Sequence, residues 1–130
     1  SFDKSLDIKD FDISFARGLS LEDGCATITN FTAYLIAKGI EHANGNNSDP
    51  IKFLVCGGGR KNDYLINSIK NYLSHKQNIS LNSIDDYSLN GDYIESQAFG
   101  YLAIRSFLNL PISYPKTTGC VTPTVGGKLV

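Results

Sequence analysis

The sequence predicts an α/β fold, and three observations carry that reading. A short apolar run at 51–56 stops abruptly at Gly57-Gly58-Gly59, as a buried strand does when residues without a Cβ follow it. An amphipathic stretch and a second short run at 79–84 come next, giving strand, glycine loop, helix and strand in order. Ahead of them lies a longer stretch with apolar residues at helical spacing. A crossover of this kind makes the two strands parallel and the connection right-handed.

Taken in order, the first eighteen residues are the least regular, because Phe2, Leu6, Phe11, Ile13 and Phe15 fit no single period. A helix start follows at Ser20, with Asp23 three residues on. That S-x-x-D pair has the form of a capping box, in which the serine oxygen and the carboxylate satisfy orphan backbone donors. Leu21, Cys25, Ile28, Phe31, Leu35, Ile36 and Ile40 then recur at helical spacing, so a helix is expected over 21–42. The turn formers at 44–50 end it and give the chain's strongest linker signal. The second helix is expected over 62–75, with Tyr64, Leu65, Ile69, Tyr72 and Leu73 on its apolar side. A third, over 92–108, leaves only a narrow polar stripe of Glu95, Gln97, Arg105 and few others. A helix apolar nearly all round is expected to be buried on more than one side. The tail, 111–130, is rich in proline, glycine, serine and threonine and reads as extended, with a last short strand near 125–130.

Length and composition bound the function. The 130 residues fit a single domain over 1–130, large enough to bury a core. With 42% hydrophobic and 19% charged residues the chain is globular. Its net charge of −1, from 12 basic and 13 acidic residues, argues against bulk electrostatic binding to nucleic acid or an anionic membrane. No window approaches the roughly 18 apolar residues of a membrane span, and no secretory signal is visible. Cys25, Cys56 and Cys120 form no C-x-x-C pair, so the expectation is three buried thiols in a reducing cytoplasm. The chain opens with Ser1 rather than methionine, a hint of processing or truncation.

Gly57, Gly58 and Gly59 are the sharpest candidate site. At the carboxyl end of a parallel strand, residues without a Cβ let a ligand approach the main chain, and the following helix aims its N-terminus at the same place. That arrangement suits a nucleotide; a tight turn needing positive φ is the simpler alternative. Asn62 is a good N-cap for the helix. Neither a Walker loop nor a dinucleotide fingerprint fits: G-K-[ST] is missing, and asparagine stands at 62 where the last glycine belongs. Asp92 reads as a cap or first-turn acid. Glu95, on a helix expected to be buried, would need a partner. His42 and His75 have no ligand-like neighbours in sequence, and Arg60-Lys61 reads as a solvated basic pair.

The order of motifs is specific. Gly18-Leu19-Ser20-Leu21-Glu22-Asp23, Ala26-Thr27-Ile28-Thr29-Asn30-Phe31-Thr32-Ala33, Leu54-Val55-Cys56-Gly57-Gly58-Gly59-Arg60-Lys61-Asn62 and the stretch from Gly91-Asp92-Tyr93-Ile94-Glu95-Ser96-Gln97-Ala98-Phe99 to Arg105 resemble the carboxyl-terminal part of the anhydro-N-acetylmuramic acid kinase family. Leu110-Pro111, Thr117-Thr118-Gly119 and Gly126-Gly127 resemble that family's tail, while Ser96 stands where it more often has alanine. The resemblance implies part of a ribonuclease H-like lobe of the actin, hexokinase and Hsp70 fold, a mixed sheet packed by helices. It implies a bacterial, cytoplasmic enzyme that uses ATP and Mg²⁺ to phosphorylate and ring-open 1,6-anhydro-N-acetylmuramic acid, giving N-acetylmuramic acid 6-phosphate in cell-wall recycling. Gly57, Gly58 and Gly59, with Asn62, would bind the nucleotide and Glu95 the sugar. The family's amino-terminal lobe, with its phosphate loop, metal site and catalytic aspartate, has no counterpart here. The expectation is therefore a carboxyl-terminal lobe inactive alone, with no catalytic residue of its own, partnered by that amino-terminal lobe. A lobe without its partner exposes an apolar patch, so self-association or a homodimer is expected as well. Two other readings stay open: a stand-alone nucleotide-binding regulatory module, and a structural α/β interaction domain.

Overall fold

The structure, a computed structural model, describes residues 10–127. It contains two compact units: Ile13–Ile94, and a second that holds the described residues from Glu95 onward together with 10–12. Phe2 and Leu6 lie outside the described residues.

In the first unit a 3-10 turn at Ser14–Ala16 precedes α1, Leu21–Asn44. Ser20 caps α1 as its sequence implies, its hydroxyl oxygen accepting the Asp23 N–H at 3.1 Å. The carboxylate behaves differently from the expected capping box: Asp23 accepts the Ser20 hydroxyl at 3.0 Å. β1 (Ile51–Val55), α2 (Asp63–Leu73) and β2 (Ile79–Ser83) then form the crossover. The strands are parallel, in register from Ile51 beside Ile79 to Val55 beside Ser83.

Packing explains the long first helix. Ala33, Ala37 and Ile40 fall at i, i+4 and i+7 on one face of α1 and are buried against Ile69 and Leu73 of α2. Phe53, Leu65, Ile66, Ile79 and Leu81 close over that cluster. Small residues on α1 let the helices approach closely, and Tyr72 adds a hydrogen bond to Asn30 at 2.7 Å and an edge-on contact with Tyr34. The turn at 44–50 is stitched rather than loose. Asn78 donates to the carbonyls of Asn47 (2.8 Å) and Asp49 (3.3 Å), and the buried Asn44 donates to Asn47.

Several expectations need correction. β1 is covered on one face only: Ile51, Phe53 and Val55 are half-buried while Lys52 and Leu54 are exposed. Among the described residues the sheet is this parallel pair. Cys25 and Cys56 are exposed and Cys120 is half-buried, because none of the three falls on the face that α1 and α2 share.

The second unit holds α3 (Ile94–Phe107) from Glu95 on, and a single helical turn, α4, Pro115–Thr118. No residue of α3 is buried, so the expected burial on several sides is not met; Phe99, Ile104 and Phe107 lie exposed. What holds the unit is Arg105, which donates to the Pro111 carbonyl at 2.8 Å and to the Tyr114 and Tyr101 hydroxyls. The tail is not uniformly extended, since Pro115 starts α4, Gly119 ends it, and Ser113 bridges antiparallel to Thr124. No strand forms over 125–127, and the rest of that expected strand lies outside the described residues.

Candidate functional site

β1 delivers the chain into a turn where the main chain is bare. Gly57 has φ +76°, a left-handed backbone that favours glycine, and Gly58–Lys61 winds as a 3-10 turn into Asn62. A Cβ placed on Gly57 or Gly58 would meet no atom within 4 Å, whereas one on Gly59 would rest against Leu65 at 3.6 Å. Positive φ accounts for Gly57. At Gly58 neither backbone conformation nor space demands glycine, so its bareness is available to a ligand. Asn62 takes the predicted cap position: its Oδ1 accepts the Leu65 N–H at 3.0 Å, satisfying one of the orphan donors at the start of α2.

Arg60 overturns the reading of a solvated pair, since its side chain is only 7% exposed. Its Nε donates to Asp85 at 2.5 Å and its Nη1 to Asp92 at 2.6 Å and to the Gly57 carbonyl at 2.9 Å. A planar guanidinium with five N–H groups can be shielded this far only because acceptors surround it. Lys61 reaches the other oxygen of Asp92 at 2.7 Å and stays exposed. Asp92 therefore does not act as a helix cap: α3 begins at Ile94, and the Asp92 carboxylate is shared between two cations. The Arg60 hydrogen bond, with Lys61 second, lowers the Asp92 pKa to about 2. Arg60, then the Gly91 N–H and Ser83, hold Asp85 well below the usual carboxylate range. In return Arg60 is held above its already high ordinary value.

Beside the turn lies an open hollow of about 190 Å³, lined in part by Val55, Arg60, Lys70, Asn82 and Ser83. The Asn82 Oδ1 is buried without a partner among the described residues, leaving an acceptor for a donor group that enters.

Of the predicted residues, Gly57, Gly58, Gly59 and Asn62 are brought together at one corner. Glu95 stands exposed in the first turn of α3, in the other unit, so the expectation that burial forces a partner on it is not met. His75 pairs with Glu41 at 2.9 Å, joining the ends of α1 and α2. No three His, Cys, Asp or Glu side chains among the described residues gather to hold a metal, and no helix among them is long and apolar enough to cross a membrane. Asp85 and Gly91 were missed from sequence. Their signal was an aspartate just past the end of the second candidate strand and a glycine beside Asp92.

A family model described as anhydro-N-acetylmuramic acid kinase matches residues 8–130. Proteins named anhydro-N-acetylmuramic acid kinase are similar along nearly the whole chain. The one from Pelagibacter ubique is 51% identical over 127 residues, covering 97% of this chain and 33% of its own length. Those from Zymomonas mobilis and Caulobacter vibrioides are 41% and 39% identical, covering 97% and 98% of this chain and 33% and 32% of their own lengths. The chain thus spans about a third of the length of the curated relatives it matches.

Proposed function

The chain belongs to the anhydro-N-acetylmuramic acid kinase family, and from that premise we propose that it acts as the carboxyl-terminal lobe of an ATP-dependent sugar kinase of the actin, hexokinase and Hsp70 superfamily. The reaction phosphorylates 1,6-anhydro-N-acetylmuramic acid and opens its anhydro ring, giving N-acetylmuramic acid 6-phosphate in the cytoplasm during cell-wall recycling. One observation supports this chain's share of the work: the main chain at Gly57 and Gly58 is bare at the carboxyl end of β1. The nucleoside lies against Gly57, Gly58 and Gly59 beside the Asn62-capped start of α2, and Glu95 is this chain's residue for the sugar.

ATP supplies the transferable phosphoryl group. Mg²⁺ accompanies ATP in such kinases, but the donors here do not fit a metal centre, since the Asp85 and Asp92 carboxylates are occupied by Arg60 and Lys61. Phosphoryl transfer is mostly positioning and charge stabilisation around the γ-phosphate. Arg60 is tied to two aspartates and so is not free to act as such a clamp. The amino-terminal lobe, as partner, supplies the phosphate loop and the catalytic aspartate, and a homodimer forms through this lobe.

Calorimetric titration of the purified chain with adenosine, ATP and ATP–Mg²⁺ tests this reading. Expected is a similar Kd for all three, about millimolar or roughly −4 kcal/mol. No turnover of ATP with the anhydro-sugar is expected until the full-length protein replaces the chain. Turnover by the chain alone, or tight Mg²⁺-dependent binding, overturns the lobe assignment; absence of any binding replaces it with a structural domain.

A further inference from the structure

Four links close a ring around the glycine turn. The Gly57 N–H donates to the Gly91 carbonyl at 2.9 Å. The Gly91 N–H donates to Asp85 Oδ1 at 2.9 Å. Asp85 accepts from Arg60 Nε at 2.5 Å and from Nη2 at 3.3 Å. Arg60 Nη1 returns to the Gly57 carbonyl at 2.9 Å. Both polar groups of Gly57 are thus fixed by an assembly that one side chain organises. The fit is close: a Cβ on Gly91 would fall 2.7 Å from Arg60 Cζ and 2.9 Å from Cδ.

We propose that Arg60 is a positioning residue for the nucleotide, holding the Gly57 and Gly58 main chain in the bare conformation against which the nucleoside lies and giving no charge to the phosphates. The inference rests on the nucleotide role proposed above for this turn. A positive residue beside a glycine loop is ordinarily read as a phosphate ligand. Here the geometry points elsewhere, because the guanidinium is shielded and already meets two carboxylates and a carbonyl. A lysine cannot replace it, since a single ammonium lacks the planar fork that spans Asp85, Asp92 and Gly57 together. With the ring open, Gly57 keeps its sequence and loses its fixed orientation, so each nucleotide meets a wall that must first be ordered.

The test uses the full-length protein that carries this chain, with Arg60→Lys, Arg60→Ala and Asp85→Asn, and adenosine and a non-hydrolysable ATP analogue as ligands. Each variant is expected to weaken both ligands by the same factor, about tenfold, the scale of one lost charge-assisted hydrogen bond. The Arg60→Ala and Asp85→Asn changes together are expected to cost no more than either alone, because both open one ring. The KM for ATP rises accordingly, while kcat and the KM for the sugar stay near the wild-type values. A merely structural role would lower the melting temperature and leave the affinities of the folded variants unchanged, and that result overturns the inference. Weakened analogue with unchanged adenosine also overturns it, by making Arg60 a phosphate ligand. If the wild type binds neither ligand, the nucleotide reading itself fails, a result separable from wild-type binding that the variants retain. Should Arg60→Ala not fold, Arg60→Lys and Asp85→Asn carry the comparison.

Discussion

Replacing Gly91 with alanine probes the Arg60 ring without touching a charge. The added methyl would lie 2.7 Å from Arg60 Cζ and 2.9 Å from Cδ, well inside van der Waals contact. Arg60 cannot swing aside freely, since it is held by Asp85, Asp92 and the Gly57 carbonyl. Overpacking of this kind costs about 1–3 kcal/mol. The φ of Gly91 lies outside the left-handed region, so alanine also restricts the unfolded chain and returns about 0.4–1 kcal/mol. The expected net loss is about 1–2 kcal/mol, or roughly 3–8 °C in melting temperature for a chain of this size. Thermal unfolding followed by circular dichroism measures it. In an Arg60→Ala background the methyl meets no guanidinium, and the same substitution is expected to become neutral or stabilising. An equal loss in both backgrounds would refute the reasoning, because the clash would then not be with Arg60.

The ring also predicts a pH dependence. Asp92 titrates at about 2 in the folded chain and near 4 when unfolded, so its contribution is complete above about pH 4 and is lost as pH falls toward 2. Asp85 is shifted in the same direction. Urea midpoints at stepped pH are expected to fall through that window, and less steeply in Asp92→Asn; a flat profile contradicts the pairing. In the core, Ile69 is almost wholly buried between α1 and the strands, and Ile69→Ala is expected to cost about 2–5 kcal/mol by denaturant unfolding. Native thiol labelling should modify Cys25 and Cys56 ahead of Cys120. Adenosine should slow Cys56, next to the glycine turn, and leave Cys25 unchanged; equal protection of both would argue against binding at that turn.

Local signals made much of the fold legible. The Ser20 and Asn62 caps, the period along α1 and the glycines after β1 each depend on neighbours within a few residues, and each fell where expected. α4 carried a readable signal too, a proline at its first turn and a glycine just past its end. What escaped was long-range. Arg60 reads as solvated because its acceptors, Asp85 and Asp92, stand 25 and 32 residues further on. Composition alone also misled at α3: an apolar circumference tells that a helix seeks cover, not that the described residues provide it. The candidate corner was found through its glycines, while the side chain that shapes it was not.

The parallel pair of strands has a practical consequence. With only β1 and β2 in the sheet among the described residues, each strand has one edge that no other described strand pairs with. Parallel strands seldom stand in so small a set, and the outward side chains of β1 include Leu54 rather than a full row of charges. Concentrated preparations of the isolated chain are therefore prone to strand addition between molecules. A lysine at Leu54 would be the first change to make for keeping such samples clear.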